Sequence, residues 1–196
     1  MIQNFAKLIV GSFLMPRRTI RVVLAQRFGP EEIALLVLFG YLVSEILSII
    51  VPDARPEGGT DLNRYVVGVI GSALSFLAFA WPVYGLGRVF GGTADFQQSC
   101  TVVAWYSIID KFVFVPLTAK VEKLLTAVKA GPMTEETALA MQGDAGIVMA
   151  CGMFLLWVLA SFIAELHGFV SVIAVAATTI GVMMGALLFF AAFTGG

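Results

Sequence analysis

Apolar and polar positions along this chain alternate on the scale of whole helices rather than single turns. Five mostly apolar stretches, at about 33–51, 65–90, 99–117, 145–164 and 169–193, are separated by shorter polar or Gly/Pro-rich pieces. A helix rises about 1.5 Å per residue, so a hydrocarbon core of about 30 Å takes about 20 apolar residues to cross. Each stretch meets that test. The first is framed by Phe28-Gly29-Pro30 and by a breaker cluster running from Pro52 to Gly59. In the second, Trp81 and Tyr84 lie near one end, where aromatic rings meet headgroups, and Pro82 predicts a kink or a stop. The third is the least apolar, because it carries Asp110-Lys111. Only Glu165-Leu166-His167-Gly168 separates the last two, which predicts an antiparallel helical hairpin.

Two further segments have helical periodicity without spanning length. Phe5, Leu8, Ile9 and Phe13, then Ile20, Val23, Leu24 and Phe28, recur among Lys7, Arg17, Arg18, Arg21 and Arg27. This predicts an amphipathic basic segment over 1–28, interrupted at Pro16, ahead of a membrane domain over 29–196. Val121, Leu124, Leu125 and Val128 repeat the spacing between Lys120, Lys123 and Lys129. That pattern suits a helix on the membrane surface or an extension of the third span beyond Pro116. The fold class expected is all-α, a polytopic bundle of five spans with an amphipathic N-terminal helix.

Composition strengthens this picture. The chain is 59% hydrophobic and 13% charged, with a mean hydropathy of +0.94, whereas soluble domains are roughly 45–50% apolar and about 25% charged. A net charge of −1 lacks the concentration of cations that phosphate binding needs, so no nucleic-acid partner is expected. Cys100 and Cys151 have no CxxC spacing and no clustered His, and read as packing residues; no metal and no cofactor are expected. The first long apolar run starts too late, and is too long, for the core of a cleavable signal. Lys7, Arg17, Arg18, Arg21 and Arg27, out of 12 Lys and Arg in all, precede the first span and predict a cytoplasmic N-terminus. Five crossings then put Lys120, Lys123 and Lys129 on the opposite side, against the rule.

Ionisable groups inside a bilayer cost about 2.5–3.5 kcal/mol each on insertion scales, which singles out Glu45, Asp110 and Lys111. Glu45 follows Gly40 and Ser44 and precedes Ser48, a small-residue row that admits a neighbouring helix. Asp110 and Lys111 point about 100° apart on a helix and should not share one partner, which leaves Lys111 as the expected counter-ion of Glu45. Glu165 and His167 fall in the last turn, where polar turn chemistry or a partner contact is expected. His167 is the only histidine, too few for a metal site or a catalytic triad. Gly181 and Gly185 form a GxxxG in an apolar context, a helix-packing signal. The glycines from Gly85 to Gly92 lack the GKS or GKT ending of a phosphate loop.

At the junction of the second and third spans the chain reads Tyr84-Gly85-Leu86-Gly87, then Gly91-Gly92-Thr93-Ala94-Asp95-Phe96-Gln97-Gln98-Ser99-Cys100 and Ala104-Trp105-Tyr106. This resembles the Yip1 domain family, in which a Gly-Gly turn precedes an aromatic-Gln pair and a span carrying Tyr. Phe28-Gly29-Pro30 resembles the family's step before its first span, and Glu165 to Ser171 its tight turn before the last. The resemblance covers about residues 15 to 193. It departs at Asp110-Lys111, where members often have Pro soon after the Tyr, and in lacking the long polar N-terminal region of eukaryotic members. It implies the compact prokaryotic type, in a bacterial cytoplasmic membrane. The function implied is non-enzymatic: a scaffold or accessory factor whose partners are the lipid bilayer and other membrane proteins or copies of itself. The competing expectation is a small ion or proton channel in which Glu45 converges with Asp110 or Lys111.

Overall fold

The computed structural model describes residues 2–51, 62–130 and 135–194. The breaker cluster from Pro52 to Gly59 lies outside the described residues. Within them the chain forms eight α-helices and no strand: α1 (Ile2–Leu14), α2 (Pro16–Ala25), α3 (Pro30–Ile50), α4 (Leu62–Val89), α5 (Phe96–Phe114), α6 (Thr118–Ala130), α7 (Glu135–His167) and α8 (Val172–Thr194), with a 3-10 turn at Val115–Leu117 joining α5 to α6.

Four helical segments are long and apolar enough to cross a membrane: Pro30–Ile50, Tyr65–Val89, Phe96–Ala127 and Met141–His167. Proline divides the elements where its ring allows. Pro16 and Pro30 occupy first-turn positions, where the missing N–H is not needed. Pro82 neither ends nor divides α4. Pro116 tightens one turn to 3-10 geometry while the helix runs on into α6. The helix that carries the fourth span, expected over 145–164, extends back to Glu135, its spanning segment being Met141–His167.

α5 is the central helix. Ser99 to Trp105 are buried without a break, as are Ile108 and Ile109, so every side of the helix is covered. In its spanning window 56% of residues are buried, against 11% for α4 and 17% for α3. Those two carry outward apolar rows instead: Leu35, Leu38, Leu42, Ile46 and Ile49 on α3, and Val66, Ile70, Leu74, Leu77 and Trp81 on α4. Rows of that size are a liability in water and are what a hydrocarbon solvent requires. Val158, Leu159, Phe162 and Ile163 of α7 complete the core around Trp105 and Ile108.

The N-terminal helices fold back onto this core rather than standing apart from it. Ile20 and Val23 are buried, and Phe5, Leu8, Ile9 and Phe13 pack on the core from outside, so the apolar stripe read from the sequence faces protein. Phe5 meets Phe39 and Trp105 edge-on, both at 5.4 Å, and Phe13 stacks on Phe154 at 6.0 Å. Trp105 Nε1 donates to Ser12 Oγ at 2.9 Å, and that hydroxyl donates to the Leu8 carbonyl at 2.9 Å. The indole N–H is thereby satisfied inside the core. α1 and α2 close tightly because Gly11 faces Thr19; a Cβ there would stand 2.6 Å from Thr19 Oγ1.

Candidate functional site

Two constellations collect the polar groups of the bundle, one at its end and one in its interior. At the end, α4 and α7 stop by the same device. Gly91 (φ 83°) and Gly168 (φ 73°) adopt the left-handed conformation. The following amides reach back, Gly92 N–H to the Gly87 carbonyl and Phe169 N–H to the Ala164 carbonyl, both at 2.7 Å. This is a Schellman stop, and glycine is the residue that adopts it without strain.

His167, expected in a polar turn, is instead the last residue of α7 and is buried to 2% exposure. Its Nε2 lies 3.1 Å from the Val83 carbonyl, which can only accept, so Nε2 carries the hydrogen. Nδ1 is buried without a partner. The ring stacks on Phe169 at 5.6 Å and occupies a slot that exists because two residues lack side chains. A Cβ at Gly87 would stand 2.0 Å from Nε2, and one at Gly92 2.3 Å from Nδ1. The imidazole therefore works as a pin through α4, the turn after it and α7.

The remaining turn residues each hold one neighbour. Asp95 caps α5, Oδ1 accepting from Gln98 N–H at 2.7 Å while Gln98 Oε1 accepts from Asp95 N–H at 3.1 Å. Phe96 packs on Trp81 at 5.5 Å and Tyr84 at 5.6 Å. Gln97 Nε2 donates to the Phe28 carbonyl at 2.6 Å, which ties the start of α5 to the start of α3. Gly29 N–H donates to Glu32 Oε2 at 2.6 Å.

Glu165 joins the same end to the N-terminal helices. It accepts from Arg17 Nε at 3.2 Å and Arg21 Nε at 2.7 Å. Arg17 also donates to the carbonyls of Phe169 (3.1 Å) and Val170 (3.4 Å), just before α8. The Arg21 guanidinium is held even further above its usual range, first by its hydrogen bond to Glu165 and then by that carboxylate's charge. Arg18 and Arg27 are exposed on α2 and after it, and Arg88 is exposed at the end of α4. The starts of α3, α5 and α8 and the ends of α4 and α7 thus share one arginine-rich end.

In the interior, a cavity of about 790 Å³ opens between α4 and the α3–α5–α7 layer. Its walls include Ser44, Ser72, Ser75 and Ser107, and at one side Asp110 and Lys111. Contrary to the expectation that these neighbours serve different partners, Lys111 Nζ lies 3.4 Å from Asp110 Oδ2 and both line the cavity. Flexible side chains close the 100° that separates the two Cα–Cβ directions. Glu45 does not join them. It is absent from the cavity wall and makes no ion pair with a described residue; its carbonyl accepts from Ser48 Oγ at 2.8 Å. The convergence on which the channel reading depends is not formed.

Among its described residues α4 is buried only near its end, although toward its start Gly68 approaches the Tyr41 ring, where a Cβ would stand 2.7 Å from the hydroxyl oxygen. Ala80, Val83 and Gly87 are its buried residues, whereas Gly71 faces open space. A second, apolar cavity of about 530 Å³, lined by Ile33, Leu38, Leu77 and Phe96 among others, lies between α3 and α4. Elsewhere, Lys120 pairs with Asp144 and fastens α6 to α7. Gly181 and Gly185 sit on α8 with nothing within 4 Å of where a Cβ would be. The Lys120–Asp144 pair and the Arg17–Glu165 pair carried no sequence signal, since their members are far apart in the chain. No group of three or more potential metal-ligating side chains occurs among the described residues.

No family model, no curated protein and no solved structure matches the chain.

Proposed function

We propose that the protein is a non-enzymatic integral membrane protein of Yip1-like architecture that acts as a scaffold or accessory factor for other membrane proteins. In this reading α8 supplies a fifth crossing, since its 23 residues contain no ionisable side chain. The arginine-rich end faces the cytoplasm of a bacterial inner membrane, as the distribution of Arg17, Arg18, Arg21, Arg27 and Arg88 favours.

The observation that carries the scaffold reading is the open GxxxG face of α8. The helix packs chiefly on α7, and among the described residues none lies within 4 Å of where a Cβ of Gly181 or Gly185 would be. In lipid, small residues stabilise helices by letting backbones approach closely, and an unfilled face of this kind fits a helix from another chain. Basic side chains at the cytoplasmic end add attraction for anionic lipid, about 1 kcal/mol per residue near the surface.

A photoreactive residue at Met184, exposed on the same stretch of α8, tests the reading in native membranes. A discrete adduct is expected, either with a second copy or with one membrane protein, and Gly181→Leu with Gly185→Leu should abolish it. Only diffuse lipid labelling, or an adduct indifferent to the double substitution, would refute the scaffold.

A further inference from the structure

The two cavities beside α4 adjoin each other at Val37, Tyr41, Ser72 and Phe76, which line both. One chamber carries Asp110 and Lys111 with a row of serines. The other is built almost wholly of aliphatic and aromatic side chains. We propose that the two together form a cleft that binds one zwitterionic glycerophospholipid, with its phosphate on Lys111, its ammonium on Asp110, and an acyl chain running past Tyr41 and Phe76 into the apolar chamber.

Charge argues for this occupant. Lys111 offers three donors and Asp110 four lone-pair sites, but they meet in a single 3.4 Å contact, with the side chains 35% and 25% exposed. The unused valences adjoin the cavity. A bare anion or cation satisfies one member of the pair and is repelled by the other, whereas an ammonium and a phosphate in one headgroup answer both. A transmembrane helix in the same place would seal the pair against apolar side chains and leave those valences unmet.

Depth and size agree. At 1.5 Å per residue Asp110 stands about 21 Å along α5 from Phe96, so with Phe96 at one boundary of a core about 30 Å thick the pair lies about 9 Å inside the other, most of which a lysine side chain can span. A headgroup drawn slightly below that boundary meets the pair, and its chain then points toward Phe96 and Ile33, where the apolar chamber lies. Both chambers fall within the roughly 300–1,000 Å³ usual for sites that take small molecules. Gly71 and Gly152, each with open space at its Cβ position, keep two of the walls back.

The inference rests on the membrane reading but not on the α8 contact, so the test leaves Gly181 and Gly185 untouched. The full chain, stripped of lipid in detergent, is titrated with phosphatidylethanolamine or phosphatidylglycerol and read by native mass spectrometry. One phosphatidylethanolamine per chain is expected, in preference to phosphatidylglycerol, which has the phosphate but no amine. Lys111→Met and Asp110→Asn should each weaken it about tenfold, the scale of one charge-assisted hydrogen bond. Gly71→Leu, which fills the cleft without touching a charge, should weaken both lipids, with helix content by circular dichroism as the fold control and Ser75→Leu as the second filling variant. Equal binding of the two lipids, insensitivity to Lys111→Met, or a lipid stoichiometry unchanged by a folded filling variant would overturn the proposal.

Discussion

Glycine and histidine at one turn show how single side chains set the shape of this bundle. Gly91 and Gly92 are adjacent and do different work: the first supplies the left-handed φ of 83°, the second a surface on which the His167 ring can rest. Gly91→Ala should cost about 1 kcal/mol, the penalty for a Cβ in that conformation. Gly92→Ala should cost more, about 1–3 kcal/mol, because its Cβ would stand 2.3 Å from His167 Nδ1 and 2.7 Å from the Gly87 carbonyl oxygen. Thermal unfolding in detergent checks the order, at about 2–4 °C per kcal/mol for a chain of this size. His167→Ala in the Gly92→Ala background should recover part of the loss, since the ring is what the new methyl meets. The double glycine was legible in the sequence as a turn; the burial of His167 was not. The signal for that burial lies in Gly87 and Gly92, on another helix and the turn after it, and no local pattern joins them to residue 167. The same holds for Lys111, whose pairing with Asp110 depends on side-chain reach rather than on the helical angle between neighbours.

Elements were legible where breakers and apolar length marked them. Pro16, Pro30 and the glycine stops gave helix ends close to those observed, and four of the long stretches coincide with helices able to cross a membrane. The start of α7 was missed because Glu135 to Asp144 is polar, and hydropathy ends a span where polarity begins. A helix does not have to end there: Glu, Ala, Leu, Met and Gln are strong helix formers, and Lys120 holds Asp144 from α6. The N-terminal helices were legible as amphipathic, but not the direction they face, since an apolar stripe fits lipid and protein equally well. Their attachment through Glu165 makes a prediction. Glu165→Gln should leave the bundle folded while amides of α2 exchange roughly threefold to tenfold faster, the scale of a partly exposed ion pair. Added salt should have the same effect on the wild type and little on the variant, because the pairs with Arg17 and Arg21 reach the surface. Exchange rates of α2 unchanged by the substitution would mean that Ile20 and Val23 alone hold it.

As a whole, the molecule has four helices long and apolar enough to cross a membrane and presents apolar rows of the kind that suit lipid better than water. Its central helix is buried from Ser99 to Trp105 and at Ile108 and Ile109, while α3 and α4 turn rows of leucine, isoleucine and valine outward. Many of its polar groups gather at the arginine-rich end, in the cavity with Asp110 and Lys111, or in the Lys120–Asp144 pair between α6 and α7. Backbone polar groups are met within helices, the one arrangement besides a closed barrel that hydrocarbon tolerates. The scaffold reading, the lipid cleft and the orientation of the arginines all depend on this. Its most direct test is fractionation of cell membranes carrying the full chain, washed in alkaline carbonate and then in detergent. The protein is expected to stay with the lipid through the carbonate wash and to leave it only in detergent. Its release by carbonate into aqueous buffer as a monodisperse, fully helical species would contradict the account.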